Sequence, residues 1–234
     1  MTDHFEVHAR DSAARRGELR LAESVPTPAL VDDVLEDAGS RWHKDREVPE
    51  GDEATLTVLP HRALPRGTEP PVAGAFALDH PDVEFPSAAV VSPETAADHG
   101  ADAYLLAGAP GYAGNAEAFV DAVLEVRRSI PDDAALGLSG VATPANAATL
   151  VYAGVDLLDE KRAQARGLEG FYLSTDGEAF LEDLEELPCA CEACQGPVAA
   201  LAGVAAPERP SAASSGIDPR TAMTASTNAS ASPA

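Results

Sequence analysis

Cys189, Cys191 and Cys194 are the only cysteines of the 234-residue chain, and they stand together as Cys-Ala-Cys-Glu-Ala-Cys. Thiolates at this spacing can converge on one ion, and Zn2+ favours four-coordinate sulfur and nitrogen ligation. The alternative is a set of incidental buried thiols. A structural zinc site needs a fourth ligand, yet His4, His8, His43, His61, His80 and His99 all precede the cluster. Either one of these folds back, or the fourth ligand lies outside this sequence. Three clustered cysteines build no disulfide framework, so metal ligation in a reducing cytoplasm is expected.

Two further groups of residues could do chemistry. Asp159 closes the run Val155-Asp-Leu-Leu-Asp, which predicts a strand with a carboxylate at its C-terminal end. Barrels of alternating strands and helices place catalytic residues there, and a carboxylate can attack an anomeric carbon to form a glycosyl-enzyme. The competing reading makes Asp159, Glu160 and Lys161 a solvated charge cluster. The second group is the glycine-rich stretch from Gly108 through Gly111 and Tyr112 to Asn115. Its amides could hold a phosphate or a base near a helix N-terminus, and Tyr112 could stack on a base. A tight turn that simply needs glycine explains the same residues. Trp42 and His43, beside Lys44 and Arg46, suit either an RNA contact or a core anchor.

The elements that must position these groups follow from apolar patterning. Residues 1–84 carry short β-rich runs, FEVH, ELRLAE and TLTVLP, with polar connections. DDVLEDAGSRW predicts one short helix. From residue 85 the order becomes regular: SAAVV, DAYLLAGA, AALGLSG and VDLLD as strands, with helices between them. Ser92 and Pro93 suit a helix start, as do Asn115 and then Thr143 with Pro144. In the helix after Asn115, Phe119, Val120, Val123 and Leu124 are expected on one apolar face. DGEAFLEDLEEL at 176–187 predicts an acidic amphipathic helix. The alternation implies a parallel sheet. Without a GxGxxG turn it suits a partial or shortened (β/α) TIM-type barrel over residues 85–195, with a zinc-binding segment, better than a doubly wound sheet. The loops at 108–115, 140–143 and 159–161 would then line the active site, which adds Gly140 to the candidates. Residues 196–234 are Ala, Ser, Thr, Pro and Gly with few large apolar side chains, and are expected to be disordered.

Charge narrows the setting. There are 39 acidic and 16 basic residues, a net charge of −23. Such an excess destabilises a compact chain by self-repulsion. In molar salt the repulsion is screened within about 3 Å, so a halophilic cytoplasmic protein is expected. A basic patch, the usual footprint of nucleic-acid binding, is missing. In high salt, RNA recognition would lean instead on shape, stacking and hydrogen bonds. No stretch reaches the roughly 20 apolar residues of a membrane span, and the charged N-terminus is unlike a signal peptide.

Several of these motifs together resemble the tRNA-guanine transglycosylase family. They are Gly140-Val-Ala-Thr-Pro144, Gly154-Val-Asp-Leu-Leu-Asp159, and the cysteine cluster about thirty residues further on. Arg16-Gly-Glu-Leu19 and Thr27-Pro-Ala29 are similar to the family's opening. The resemblance spans roughly residues 5–195. It implies a (β/α) barrel with a zinc subdomain that exchanges a base in tRNA through a covalent ribose intermediate. By position it puts the nucleophile on Asp159 and the zinc ligands on Cys189, Cys191 and Cys194. The family's zinc histidine has no counterpart here, nor has its D-S-G-G-F/Y-Q loop with the other catalytic aspartate. These departures are most like the archaeosine synthase branch. That branch adds a nitrogen nucleophile to the nitrile of preQ0 already placed in the tRNA D-loop. The implied partners are tRNA and a nitrogen donor, glutamine or lysine; a homodimer is compatible with this, a membrane is not. Family members continue into further domains, including an RNA-binding PUA domain, so a C-terminally shortened chain is expected. The contrasting expectation is a non-catalytic zinc- and RNA-binding fragment.

Overall fold

The computed structural model describes residues 4–31, 35–37, 51, 53–59, 83–112 and 114–187. The three cysteines, Trp42 and residues 196–234 lie outside them, so the zinc segment and the tail are expectations of the sequence alone.

Three short strands open the chain: β1 (Phe5–Asp11), β2 (Ala14–Arg20) and β3 (Ser24–Thr27) form an antiparallel sheet in that order. The main sheet is all parallel. It contains β4 (Ala29–Leu30), β5 (Leu35–Asp37), β6 (Leu56–Val58), β7 (Ser87–Val91), β8 (Ala103–Leu106), β9 (Ala135–Leu138) and β10 (Leu157–Leu158). Their order is β4-β10-β9-β8-β7-β6-β5. The two edges therefore come from one short run: β4 pairs with β10, and β5, a few residues on, pairs with β6. The Val31 amide extends the β10 pairing by donating to Leu158 O at 2.9 Å. Such a sheet must curl back on itself, as expected for a shortened (β/α) barrel.

Side-chain alternation fits that curl, since successive residues of a strand point to opposite faces. Ala29, Val31, Leu56, Val58, Ala88, Ala103, Leu105, Ala135 and Leu157 form one cluster. Phe5 and Leu19 from β1 and β2 join it and plug the end where the parallel strands begin. The intervening residues Ala89, Val91, Tyr104, Leu106, Leu136, Leu138 and Leu158 belong to a second cluster on the helix side. The interior is narrow, so small residues alternate with large ones. A Cβ on Gly137 would lie 2.5 Å from Leu105 Cδ2.

Helices α1 (Ala116–Ser129) and α2 (Ala147–Tyr152) cross between β8 and β9 and between β9 and β10; α3 (Lys161–Leu168) follows β10. Asn115 caps α1 as expected, its side chain accepting from Ala118 N at 3.1 Å. The buried stripe of α1 is Ala122, Val123 and Val126, with Phe119 partly buried, whereas Val120 faces out. The expected stripe was therefore placed too near Val120 and Leu124; the spacing that reaches the sheet begins at Phe119. Thr143 and Pro144 do not start α2. A turn precedes it, in which Thr143 N donates to Asn146 Oδ1 at 2.8 Å. After Ser92 the chain makes a single 3-10 turn, Ala96–Asp98.

Two expected helices contain strands among their described residues. Leu35–Asp37 is extended because it completes the sheet edge beside β6. Residues 176–187 begin with a hairpin: β11 (Phe171–Ser174) pairs antiparallel with β12 (Gly177–Phe180) across Thr175 and Asp176, and a 3-10 turn follows at Leu181–Asp183. Gly177 adopts φ 139° at the turn, Phe171 and Phe180 stack with centroids 4.2 Å apart, and Arg166 of α3 grips Glu178. These cross-strand contacts outweigh the helical spacing of the acidic residues. Among the described residues no helix is long and apolar enough to cross a membrane.

Candidate functional site

The alternation that fills the barrel also aims its mouth. On β9 the inward positions are Ala135 and Gly137, which puts Ser139 inward just past the strand. On β10 the inward Leu157 does the same for Asp159. The two side chains meet: Ser139 Oγ donates to Asp159 Oδ2 at 2.5 Å, and Gly140 N donates to Oδ1 at 2.8 Å. Asp159 is 1% exposed. It is thus a fixed, buried carboxylate, which removes the solvated-cluster reading for this residue. Lys161 opens α3, and its Nζ lies 3.6 Å from Asp159 Oδ2 and 3.5 Å from Ser139 Oγ.

Gly140 sits beside this pair with φ 73°, a left-handed conformation that favours glycine. A Cβ there would approach Pro110 Cγ to 3.2 Å, so the loops after β8 and β9 touch. The other candidates of that loop also shape it. Gly108 has φ 61°, and Gly111 N donates to Gly108 O at 2.7 Å, closing a 3-10 turn over Ala109–Tyr112. Asn115 caps the helix that follows. The Gly111 amide is thus engaged inside the turn. Tyr112 leans on α1, 5.9 Å from Phe119; burial pushes its hydroxyl pKa up, helped by Glu94 and Glu125.

The opposite end of the same strand holds a second buried acid, which the sequence reading passed over. Asp156 is fully buried. Arg15 Nε donates to its Oδ1 at 3.1 Å and Arg15 Nη2 to its Oδ2. Arg15 also donates to Asp132 O at 2.8 Å and Ala134 O at 3.0 Å, and Leu136 N donates to Asp156 Oδ2 at 2.7 Å. Arg127 Nη1 stands 3.9 Å from the same oxygen. Burial pushes the Asp156 carboxyl up against the pull of these guanidinium groups and the amide. Burial, with Arg15 nearby, pulls Arg127 down to about 10 against the counter-pull of Asp156. No sequence spacing signals this pair, whose members are 141 residues apart. Ser139 was findable: it continues the period-two inward series from Ala135 and Gly137.

The fold and the site together define an α/β protein with a curled parallel sheet and a carboxylate fixed at the C-terminal mouth. A family profile described as queuine tRNA-ribosyltransferase matches residues 85–202, half of the chain, and the chain belongs to this tRNA-guanine transglycosylase family. It is 65% identical over 197 residues to a protein of Haloferax volcanii named archaeosine synthase, a match covering 84% of this chain and 34% of that one. It is 32% identical over 219 residues to the archaeosine synthase subunit alpha of Methanosarcina acetivorans, covering 83% of this chain and 35% of that one. A tRNA-guanine(15) transglycosylase of Haloferax volcanii is 39% identical over 75 residues, 32% of this chain and 14% of that one. The chain thus spans about a third of the length of the two archaeosine synthases it matches.

Proposed function

We propose that the C-terminal mouth of the barrel receives a tRNA nucleotide and that the chain works in archaeosine formation. In this reading preQ0 in the D-loop is converted towards archaeosine by adding glutamine or lysine nitrogen to its nitrile. The observation that carries it is the state of Asp159. Base exchange requires a carboxylate that reaches an anomeric carbon. Asp159 is buried with each oxygen already accepting a hydrogen bond, so it is held rather than presented. Nitrile addition breaks no glycosidic bond. It needs the nucleotide and the amine held together, and a rigid mouth whose carboxylate is fixed beside the Lys161 ammonium suits that task. The likeness to two archaeosine synthases supports the same choice.

A paired assay in molar salt tests this. The chain is incubated with unmodified tRNA and radiolabelled guanine, and separately with preQ0-tRNA and glutamine or lysine. An amine adduct on preQ0-tRNA, without guanine incorporation, is the expected result. Guanine incorporation that Asp159→Ala abolishes would restore base exchange. Silence in both, with tRNA still bound, would leave an RNA-binding unit without turnover.

The reading extends to one Zn2+ on Cys189, Cys191 and Cys194. Three thiolates are a donor set this ion favours, and there it would supply structure rather than chemistry. Metal analysis of the purified chain should give about one zinc per chain, lost when all three cysteines become serine. The acidity of the chain supports a protein working in molar salt, and the reading places it in the cytoplasm, where its tRNA substrate would be.

A further inference from the structure

We infer that Lys161 is the group that meets the substrate at the barrel mouth, and that Ser139 and Asp159 are positioning residues for its ammonium. The inference rests on the tRNA reading above. Its first support is access. Of the three linked side chains Asp159 is 1% exposed and Lys161 is 53% exposed. An incoming nucleotide encounters the ammonium before it can reach the carboxylate. The second support is donor arithmetic. A lysine ammonium carries three N–H groups. Ser139 Oγ at 3.5 Å takes one, and Asp159 Oδ2 at 3.6 Å is an ion-pair contact rather than a hydrogen bond, so at least one N–H is left for an acceptor on the substrate. The third support is residue choice. The chain has 16 basic residues, of which lysine stands only at 44 and 161, so the other 14 are arginine. Arginine makes the better bidentate ion pair. Lysine at the mouth supplies what arginine lacks, a compact cation able to give up and regain a proton.

The step it would serve balances without an outside reagent. The donor amine nitrogen forms a bond to the nitrile carbon, and one carbon–nitrogen π pair moves onto the nitrile nitrogen. That nitrogen takes a proton from the Lys161 ammonium. The added nitrogen, now carrying one proton too many, returns a proton to the Lys161 amine, leaving a neutral amidine and the original ammonium. Asp159 takes no part in the proton transfer and holds the ammonium in place, with Ser139 bonded to the carboxylate oxygen that faces it. Glu160 and Arg162 flank Lys161 in sequence.

The test uses the full chain in molar salt. Lys161→Ala should lower kcat for preQ0-tRNA by about 10²- to 10⁴-fold, the usual worth of a proton-transferring group, with tRNA affinity changed by less than about threefold. Lys161→Arg should not restore it, because guanidinium keeps its proton. Ser139→Ala should lower kcat about tenfold and Ser139→Thr should restore it, which a purely structural role would not require. A readout independent of turnover is acetic anhydride labelling followed by peptide mass spectrometry, with Lys44 as the internal reference. Lys161 should label about threefold faster in Ser139→Ala and Asp159→Asn, where its amine loses a partner that holds it, and bound preQ0-tRNA should protect it. Full kcat in Lys161→Ala, or an unprotected Lys161 with tRNA demonstrably bound, would overturn the proposal. Unchanged labelling in both variants would overturn the positioning roles. Failure of the wild-type chain to bind tRNA would overturn the tRNA reading, and the substrate role of Lys161 with it.

Discussion

Asp156 and Asp159 sit three residues apart on one strand run, both buried, at opposite ends of the barrel. Asp156 is gripped by a bidentate guanidinium, a second guanidinium and a backbone amide. Asp159 is held by a hydroxyl, an amide and one half-exposed ammonium. The first environment is sealed between β2, β9 and α1 and ties β2 to the starts of β9 and β10. The second opens to solvent through Lys161. Full charge pairing in a closed site is what a structural clamp needs. A carboxylate given mostly neutral donors and, among the described residues, one cation that reaches outward is left open to something that arrives.

The largest effect should come from breaking the sealed end. Arg15→Ala leaves a buried carboxylate without its bidentate partner, and should cost about 3–5 kcal/mol, read by denaturant unfolding in molar KCl. Replacing both partners with apolar residues of similar volume, Arg15→Met with Asp156→Leu, should recover most of that. If the double variant is as unstable as the single one, the clamp is more than an ion pair. Between the two ends, Gly137→Ala forces a methyl against Leu105 and should cost about 1–3 kcal/mol; Leu105→Ala in the same chain should relieve it.

Asp159→Asn is the sharpening case at the open end. It keeps the shape and an acceptor for Gly140, so the stability loss should be about 1 kcal/mol, while the turnover proposed above on preQ0-tRNA should fall far more than stability does. An Asp159→Asn chain as unstable as Arg15→Ala would erase the contrast between the two ends. A comparably small local effect should come from Phe180→Ala on the hairpin. Its ring is 48% exposed, so losing the Phe171 stack should cost about 0.5–1.5 kcal/mol.

Salt acts on the surface more than on either buried acid. The tail at 196–234 holds Glu208, Asp218, Arg209 and Arg220, which cancel, so the net charge of −23 falls on the preceding residues. Melting temperature should rise as KCl goes from dilute to molar, because screening removes self-repulsion. A melting point independent of salt would remove the halophilic reading. The difference in stability between Arg15→Ala and wild type should change little over the same range, since buried pairs are screened less.

How much of this was readable from the sequence varies with the range of the interactions. SAAVV coincides with β7, and Asn115 caps α1, because an apolar run and a capping side chain act within a few residues. Asp159 was legible as a strand-end carboxylate for the same reason. The clamp was not, because Arg15 and Asp156 carry no mutual spacing. Leu35–Asp37 was misread as helical because the force that extends it, pairing with Leu56–Val58, comes from another part of the chain. Residues 176–180 erred differently. Asp176-Gly177 is a local turn signal that competes with the acidic spacing downstream, and pairing with Phe171–Ser174 decides for a strand. The partner of Asp159, Ser139, follows from strand alternation once β9 is placed.

The single run that supplies both edges of the sheet also sets an order of events during synthesis. Leu35–Asp37 can pair with β6 soon after it emerges, but Val31 must wait for Leu158. At roughly 5–20 residues per second that wait is on the order of ten seconds. Throughout it Ala29–Val31 presents an unpaired parallel edge, and unpaired strand edges invite foreign strands. The nascent chain is thus open longest at its first parallel strand, and the last of the parallel strands to be made is the one that shuts it.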